Sequence, residues 1–246
     1  MKKKQNIKEL LLQKGHTENL KLFSGAKDLE EMRKVILHYL HPYLLYESKN
    51  LSTKQKLSSC LDPEKKVPKS LMDEVRNEVR QLVKKFNNSE NTRKVFEKIL
   101  DSKNISPCEG FYDFRANLSG DYKVSTGWHQ DCETSFVEGK KYWNKFSCTA
   151  WITLTEANKN NSILIVPRQN RKLLKIYPQH YGQIGNVDYR QKELGDIDNK
   201  IKTKDVYAVT ADADECVLID SFVLHRTVPG NTNKSRFSID IRYYAS

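Results

Sequence analysis

The sequence predicts an α+β chain in which a helical flank precedes an antiparallel sheet sandwich or barrel. Three observations predict it. Apolar residues recur at helical spacing through the first hundred residues. From Gly110 onward the period changes to two, in short runs separated by turn residues. Two of those runs pair an apolar face with a charged one, which suits a sheet covered by helices on one side and open to a polar cavity on the other. Residues 1–246 read as one domain, with 1–108 the helical flank and 109–246 the sheet core.

Residues 7–13 form a short apolar-rich helix that Gly15 stops. Residues 29–40 place Met32, Val35, Ile36, Tyr39 and Leu40 on one helical face, and Pro42 ends the run. Residues 47–69 are polar and contain Pro63 and Pro68, so they read as a loop. Residues 71–86 carry the clearest stripe, Leu71, Val75, Val79, Leu82, Val83 and Phe86, with a capping-box-like start at Ser70 and Asp73. Residues 91–100 repeat it with Val95, Phe96, Ile99 and Leu100. The strand candidates are residues 111–118, 146–155, 163–166, 206–209, 216–220 and 236–244. Residues 177–204 are polar, weakly periodic and too long for an ordinary connection, which marks a lid or binding loop.

The chain has 42 Lys and Arg against 31 Asp and Glu, a net charge of +11. The surplus sits in residues 1–100, with 22 basic and 13 acidic side chains. The lysines are scattered along amphipathic helices without interleaved aromatics, so a solvated surface is favoured over a nucleic-acid face. No apolar run reaches the length of a membrane span. The start Met1-Lys2-Lys3-Lys4 is basic, but residues 5–10 supply no apolar signal core. Five cysteines, odd in number and without a Cys-x-x-Cys pair, read as free thiols, Cys132 among them. The expectation is a cytoplasmic protein.

The chemistry rests on a split set, His129-Gln130-Asp131 followed far downstream by His225 and Arg236-Phe237-Ser238. Two imidazoles and one carboxylate are the ligand set that holds Fe(II) on one face and leaves the other open. No thiolate joins the set, which argues against structural zinc. In an extended strand His129 and Asp131 would share a face. Three protein ligands leave room for a 2-oxoacid to chelate through two positions and for O2 at the third. Arg236 would grip the far carboxylate of that acid in a bidentate fork, with Ser238 or Thr227 adding a hydroxyl. By the same parity Arg236, Ser238, Asp240 and Arg242 share one face of the last strand, and Phe237, Ile239, Ile241 and Tyr243 the other. Asp113, Arg115 and Asn117 share the polar face of the strand before the motif. Charged residues do not line a sealed core unless they are paired or bound to something. His38 and His41 read as helix-end residues, and His16 and His180 carry no signal.

At these residues the chain resembles the phytanoyl-CoA dioxygenase family of Fe(II)/2-oxoglutarate-dependent oxygenases. The likeness rests on Gly127-Trp128-His129-Gln130-Asp131, on Ala150-Trp151-Ile152-Thr153-Leu154-Thr155-Glu156-Ala157, on Leu164-Ile165-Val166-Pro167, and on Asp220-Ser221-Phe222-Val223-Leu224-His225-Arg226 leading to Arg236. The runs Trp128 to Thr134 and Phe114-Arg115-Ala116-Asn117 look most like the ectoine-hydroxylase branch. Pro167 is followed by Arg168-Gln169-Asn170, where the family often has Gly-Ser-His. The resemblance implies a double-stranded β-helix, or jelly roll, flanked by helices. It implies that His129, Asp131 and His225 bind iron and that Arg236 binds the 2-oxoglutarate C5 carboxylate. Thr227 would support that carboxylate, and Trp151 would sit beside the co-substrate. The implied cofactors are Fe(II), 2-oxoglutarate and O2, with ascorbate assisting.

Halogenating relatives replace the carboxylate ligand with a small residue, so the presence of Asp131 implies hydroxylation. The leading expectation is a hydroxylase of a small polar or zwitterionic molecule, with Asp113, Arg115, Asn117, Lys123, Glu133 and Arg242 as pocket residues. The alternatives are the same chemistry on a nucleic acid, or a non-catalytic jelly roll.

Overall fold

The computed structural model describes residues 6–46, 50–118, 128–131, 146–167, 206–228 and 234–245. Lys123, Cys132, Glu133, His180 and the 177–204 segment lie outside the described residues.

The helices are α1 (Ile7–Lys14), α2 (Lys27–Leu40), α3 (Thr53–Leu57), α4 (Lys69–Asn87) and α5 (Glu90–Leu100), with a 3-10 turn at His41–Tyr43. The strands are β1 (Ile105–Pro107), β2 (Asp113–Asn117), β3 (Ser147–Thr153), β4 (Ile163–Val166), β5 (Tyr207–Ala208), β6 (Cys216–Asp220), β7 (Leu224–Thr227) and β8 (Arg236–Ala245).

Local chemistry explains the helix ends. The Asn6 side chain accepts from the Lys8 amide at the start of α1, and Gly15 closes that helix at φ 78, a conformation that favours glycine. Ser89 caps α5 by accepting from the Thr92 amide. The capping box expected at Ser70 is not formed. Helix α4 begins at Lys69, directly after Pro68, without a side-chain cap. The Pro68 carbonyl already accepts from the Met72 amide at 3.2 Å, so Ser70 falls inside the first turn. A complete box lies instead at Ser52 and Gln55, where it nucleates α3 inside the stretch read as a loop. Leu57, fully buried, anchors that short helix to the core.

The larger sheet has the order β1-β8-β3-β6, with β2 also paired to β8, and the smaller sheet the order β5-β4-β7. Every strand pair is antiparallel. Strand β1 was not anticipated. It pairs with the C-terminal part of β8, beyond the stretch that β2 occupies.

Side-chain alternation divides the core. Phe114 of β2, Cys148, Ala150 and Ile152 of β3, Cys216 and Leu218 of β6, and Phe237, Ile239, Ile241 and Tyr243 of β8 pack under the helices. The stripes of α4 and α5 meet them through Val75, Val79, Val83, Phe96 and Ile99. Each fully buried valine or leucine contributes about 1.5–3 kcal/mol. From the opposite face, Trp151, Val217 and Ile219 pack against Ile163 and Ile165 of the smaller sheet. The order is therefore helices, larger sheet, smaller sheet.

An ion network built on the buried Arg33–Asp214 pair fastens the helices to the strand layer. Arg33 of α2 pairs with Asp214 and with Glu30, and Lys54 of α3 also pairs with Asp214. The Arg33 Nε donates to the Leu154 carbonyl at 2.7 Å. Removing Asp214 would leave the buried Arg33 guanidinium with only the partly exposed Glu30. Asp214→Ala should lower stability by about 3–5 kcal/mol in chemical denaturation. A loss under about 1 kcal/mol would place the fastening elsewhere.

Candidate metal centre

His129 and His225 face each other across a single antiparallel bridge. The His129 amide donates to the His225 carbonyl at 2.9 Å, and the His225 amide donates back at 3.0 Å. Directly opposed residues project to the same side of a sheet, and the two imidazole centroids are 4.2 Å apart. Neighbouring residues hold the bridge in place. Trp128 packs beside Leu224, with the Arg226 guanidinium 5.0 Å from its ring centroid. The buried Gln130 amide donates to the Phe222 carbonyl at 2.5 Å.

Asp131 reaches the same point by a different route from the one expected. The strand parity argument required an extended segment, but Asp131 is already helical. Its Oδ1 nevertheless lies 3.9 Å from Nε2 of each histidine. One ligand atom from each of the three residues falls within 4.8 Å of the others.

The donor set fits a divalent iron. His225 Nδ1 lies 3.0 Å from the Val223 carbonyl. A carbonyl only accepts, so Nδ1 carries the proton and Nε2 keeps its lone pair for a metal. Asp131 is 5% exposed. Burial opposes its charge, but Arg242, His225, His129 and the Thr149 hydroxyl outweigh burial and hold the carboxyl well below the usual range.

A cavity of about 180 Å³ opens beside these residues. It is lined by Asp113, Arg115, Trp151, Thr227, Arg236, Asp240 and Arg242, with Arg80 of α4 joining from the helical flank. Arg236 is 1% exposed and forms no ion pair among the described residues. Its Nε donates to the Asn161 carbonyl at 3.0 Å and its Nη1 to Ser238 Oγ at 2.6 Å. Its guanidinium carbon lies 5.6 Å from the Trp151 ring centroid. Burial pushes its pKa down to about 10. A buried cation without a counterion is costly, and the carboxylate of a bound 2-oxoacid would remove that cost.

The other residues expected in the pocket divide. Asp113 and Arg115 line it, Arg115 Nε lying 3.0 Å from Asp240 and Nη1 3.3 Å from Asp113. Asn117 does not line it. Its amide donates to the Val228 carbonyl at 2.9 Å and the Asn161 carbonyl at 3.3 Å, so it ties strand ends together. Ser238 is not on the cavity wall either; its hydroxyl holds the Arg236 guanidinium. Arg242 is on the wall but is engaged by Asp131, its Nη2 2.6 Å from Oδ1. Sequence reasoning missed Thr149, Asn161 and Arg80. Thr149 belongs to β3, Asn161 to the turn before β4 and Arg80 to α4, and no local pattern signals their convergence.

Asp131→Ala should abolish Co(II) or Fe(II) binding in an anaerobic titration; an undiminished affinity would remove Asp131 from the ligand set. In the metal-free protein the lowered Asp131 pKa also stabilises the fold above the unfolded-chain value of about 3.9. That contribution is lost as pH falls through the folded value. Asp131→Asn should therefore flatten part of the acid limb of the stability profile.

The sequence matches the family model described as phytanoyl-CoA dioxygenase over residues 25–238. A search of curated proteins finds no match. Among solved structures, EvdO2 from Micromonospora carbonacea var. aurantiaca, complexed with 2-oxoglutarate, aligns with a TM-score of 0.57 at 14% identity, over 98% of this chain and 90% of that one. AviO1 from Streptomyces viridochromogenes Tue57 aligns with a TM-score of 0.56 at 14% identity, over 97% and 93%. EctD from S. alaskensis, with 2-oxoglutarate and 5-hydroxyectoine, aligns with a TM-score of 0.56 at 14% identity, over 96% and 73%. Likeness at this identity establishes the fold, a jelly-roll core with a helical flank. The match across most of the chain, together with the His-Asp-His cluster, places the protein in the phytanoyl-CoA dioxygenase family of Fe(II)/2-oxoglutarate-dependent oxygenases.

Proposed function

We propose that this enzyme hydroxylates an unactivated carbon of a small polar or zwitterionic molecule. The observation that carries the reading is the cavity wall beside the three ligands, where Arg80, Asp113, Arg115 and Asp240 present charge of both signs. A substrate bearing both charges would exchange its water shell for those groups. When bound, iron and 2-oxoglutarate supply the oxidising chemistry: O2 is consumed, the keto acid becomes succinate and CO2, and one oxygen atom is inserted into a substrate C–H bond.

The chain's own residues provide position and exclusion. His129, Asp131 and His225 would hold the metal, and the retained Asp131 carboxylate, which halogenating relatives replace with a small residue, favours hydroxylation over halogenation. Arg236, held by Asn161 and Ser238, pairs with the distal carboxylate of 2-oxoglutarate, with Thr227 beside it. Trp151 and Ile163 contribute apolar wall and keep water from the co-substrate. Among solved relatives, EctD is described with 5-hydroxyectoine, a small hydroxylated molecule, which agrees with this substrate class.

Substrate-stimulated CO2 release from labelled 2-oxoglutarate, screened over amino acids, osmolytes and acyl conjugates, tests the reading. Stimulation by polar or zwitterionic compounds is expected, and stimulation by acyl conjugates alone would overturn it. Arg236→Gln should raise the KM for 2-oxoglutarate about tenfold or more, since charged hydrogen bonds contribute roughly 1.5–3 kcal/mol. An unchanged KM would move the carboxylate site away from Arg236.

A further inference from the structure

The Asp131 carboxylate is gripped from two sides by groups that are not metal ligands. Thr149 of β3 donates its hydroxyl to Asp131 Oδ2 at 2.6 Å. Arg242 of β8 places Nη2 2.6 Å from Oδ1 and donates from Nη1 to the Asp131 main-chain carbonyl at 3.2 Å. The two grips are joined, because Arg242 Nε donates to Thr149 Oγ1 at 2.9 Å. All three residues are buried, and the Phe111 ring centroid lies 5.0 Å from the Arg242 guanidinium carbon. Thr149 and Arg242 are directly paired across β3 and β8, so backbone register sets the arrangement.

The two carboxylate oxygens therefore differ. Oδ1 faces Nε2 of both histidines and also receives Arg242 Nη2 at 2.6 Å. Oδ2 is taken by the Thr149 hydroxyl. We propose that Thr149, itself held by Arg242, is a positioning residue that occupies Oδ2, so that Asp131 would serve as a one-oxygen ligand and leave open the metal positions that 2-oxoglutarate and O2 require. An octahedral ion has six positions. The three protein ligands would take three of them, and a chelating keto acid two. A carboxylate bound through both oxygens would take a fourth and compete with the co-substrate. Partners of this kind orient a ligand without touching the metal. The inference rests on the assignment of His129, Asp131 and His225 as the iron ligands.

The experiment uses the full chain loaded with Co(II) in place of iron, so no turnover intervenes. Co(II) affinity and 2-oxoglutarate affinity are read from the visible absorption of the metal. Parent protein and Thr149→Ser, which keeps the hydroxyl, should bind both ligands alike. Thr149→Val, nearly isosteric, should keep Co(II) affinity within about threefold and lose 2-oxoglutarate affinity about tenfold or more, with an altered cobalt spectrum before the keto acid is added. Arg242→Lys keeps the charge without the fork and should shift 2-oxoglutarate affinity in the same direction. Thermal unfolding confirms that each variant is folded. Thr149→Val binding 2-oxoglutarate like the parent would overturn the proposal while leaving the ligand set intact. Loss of Co(II) in Thr149→Val and Thr149→Ser alike would also overturn it, because a packing role would then suffice. A parent protein that takes up no Co(II) would overturn the ligand assignment, and this inference with it.

Discussion

The pair of backbone hydrogen bonds exchanged by His129 and His225 is the constraint on which the site depends. It joins a segment before the larger sheet's second half to β7 of the smaller sheet. Opposed residues in an antiparallel bridge must send their side chains to the same side. One register contact thus delivers two imidazoles to one place, and only the carboxylate remains to be supplied. Trp128 and Gln130 flank the bridge, and their packing and hydrogen bonding keep it from slipping. A slip of one residue would turn an imidazole away from its partner.

The larger sheet does the rest by separating two environments. One face of β8 is apolar and lies under the helices, while Arg236, Asp240 and Arg242 on the other face line the cavity. Burial then gives these charges their properties. Arg236 has hydrogen bonds but no carboxylate among the described residues, so it is prepared for an anion. Arg115 is matched by Asp113 and Asp240, and Arg242 by Asp131. Burial raises the Asp240 carboxyl above its ordinary range against the pull of Arg115.

Much of this was legible in the residues. The stripes of α4 and α5, the bounds of β4 and β6, and the two faces of β8 follow from periods of 3.6 and 2. Other features were not legible, for physical reasons. Helix α3 is one and a half turns long, too short for a periodic signal, and its capping box was the only local clue. Strand β1 has three residues and exists because β8 offers it an edge. Asn117 shares a face with Asp113 and Arg115, yet its amide is used up by two carbonyls that only the folded chain brings near.

The sequence by itself determined the kinds of chemistry available: two imidazoles, a carboxylate and an arginine in an order that the phytanoyl-CoA dioxygenase family shares, and an alternation that puts charge on one side of each strand. The tertiary structure decided which of those groups are free to act. Arg236 and Arg242 are equivalent by parity, since 236, 238, 240 and 242 share one strand face, but Asp131 and Thr149 converge on Arg242 and, among the described residues, no carboxylate pairs with Arg236. Parity sets the side a residue faces, whereas partners come from elements far apart in the chain, and register and packing alone bring those together.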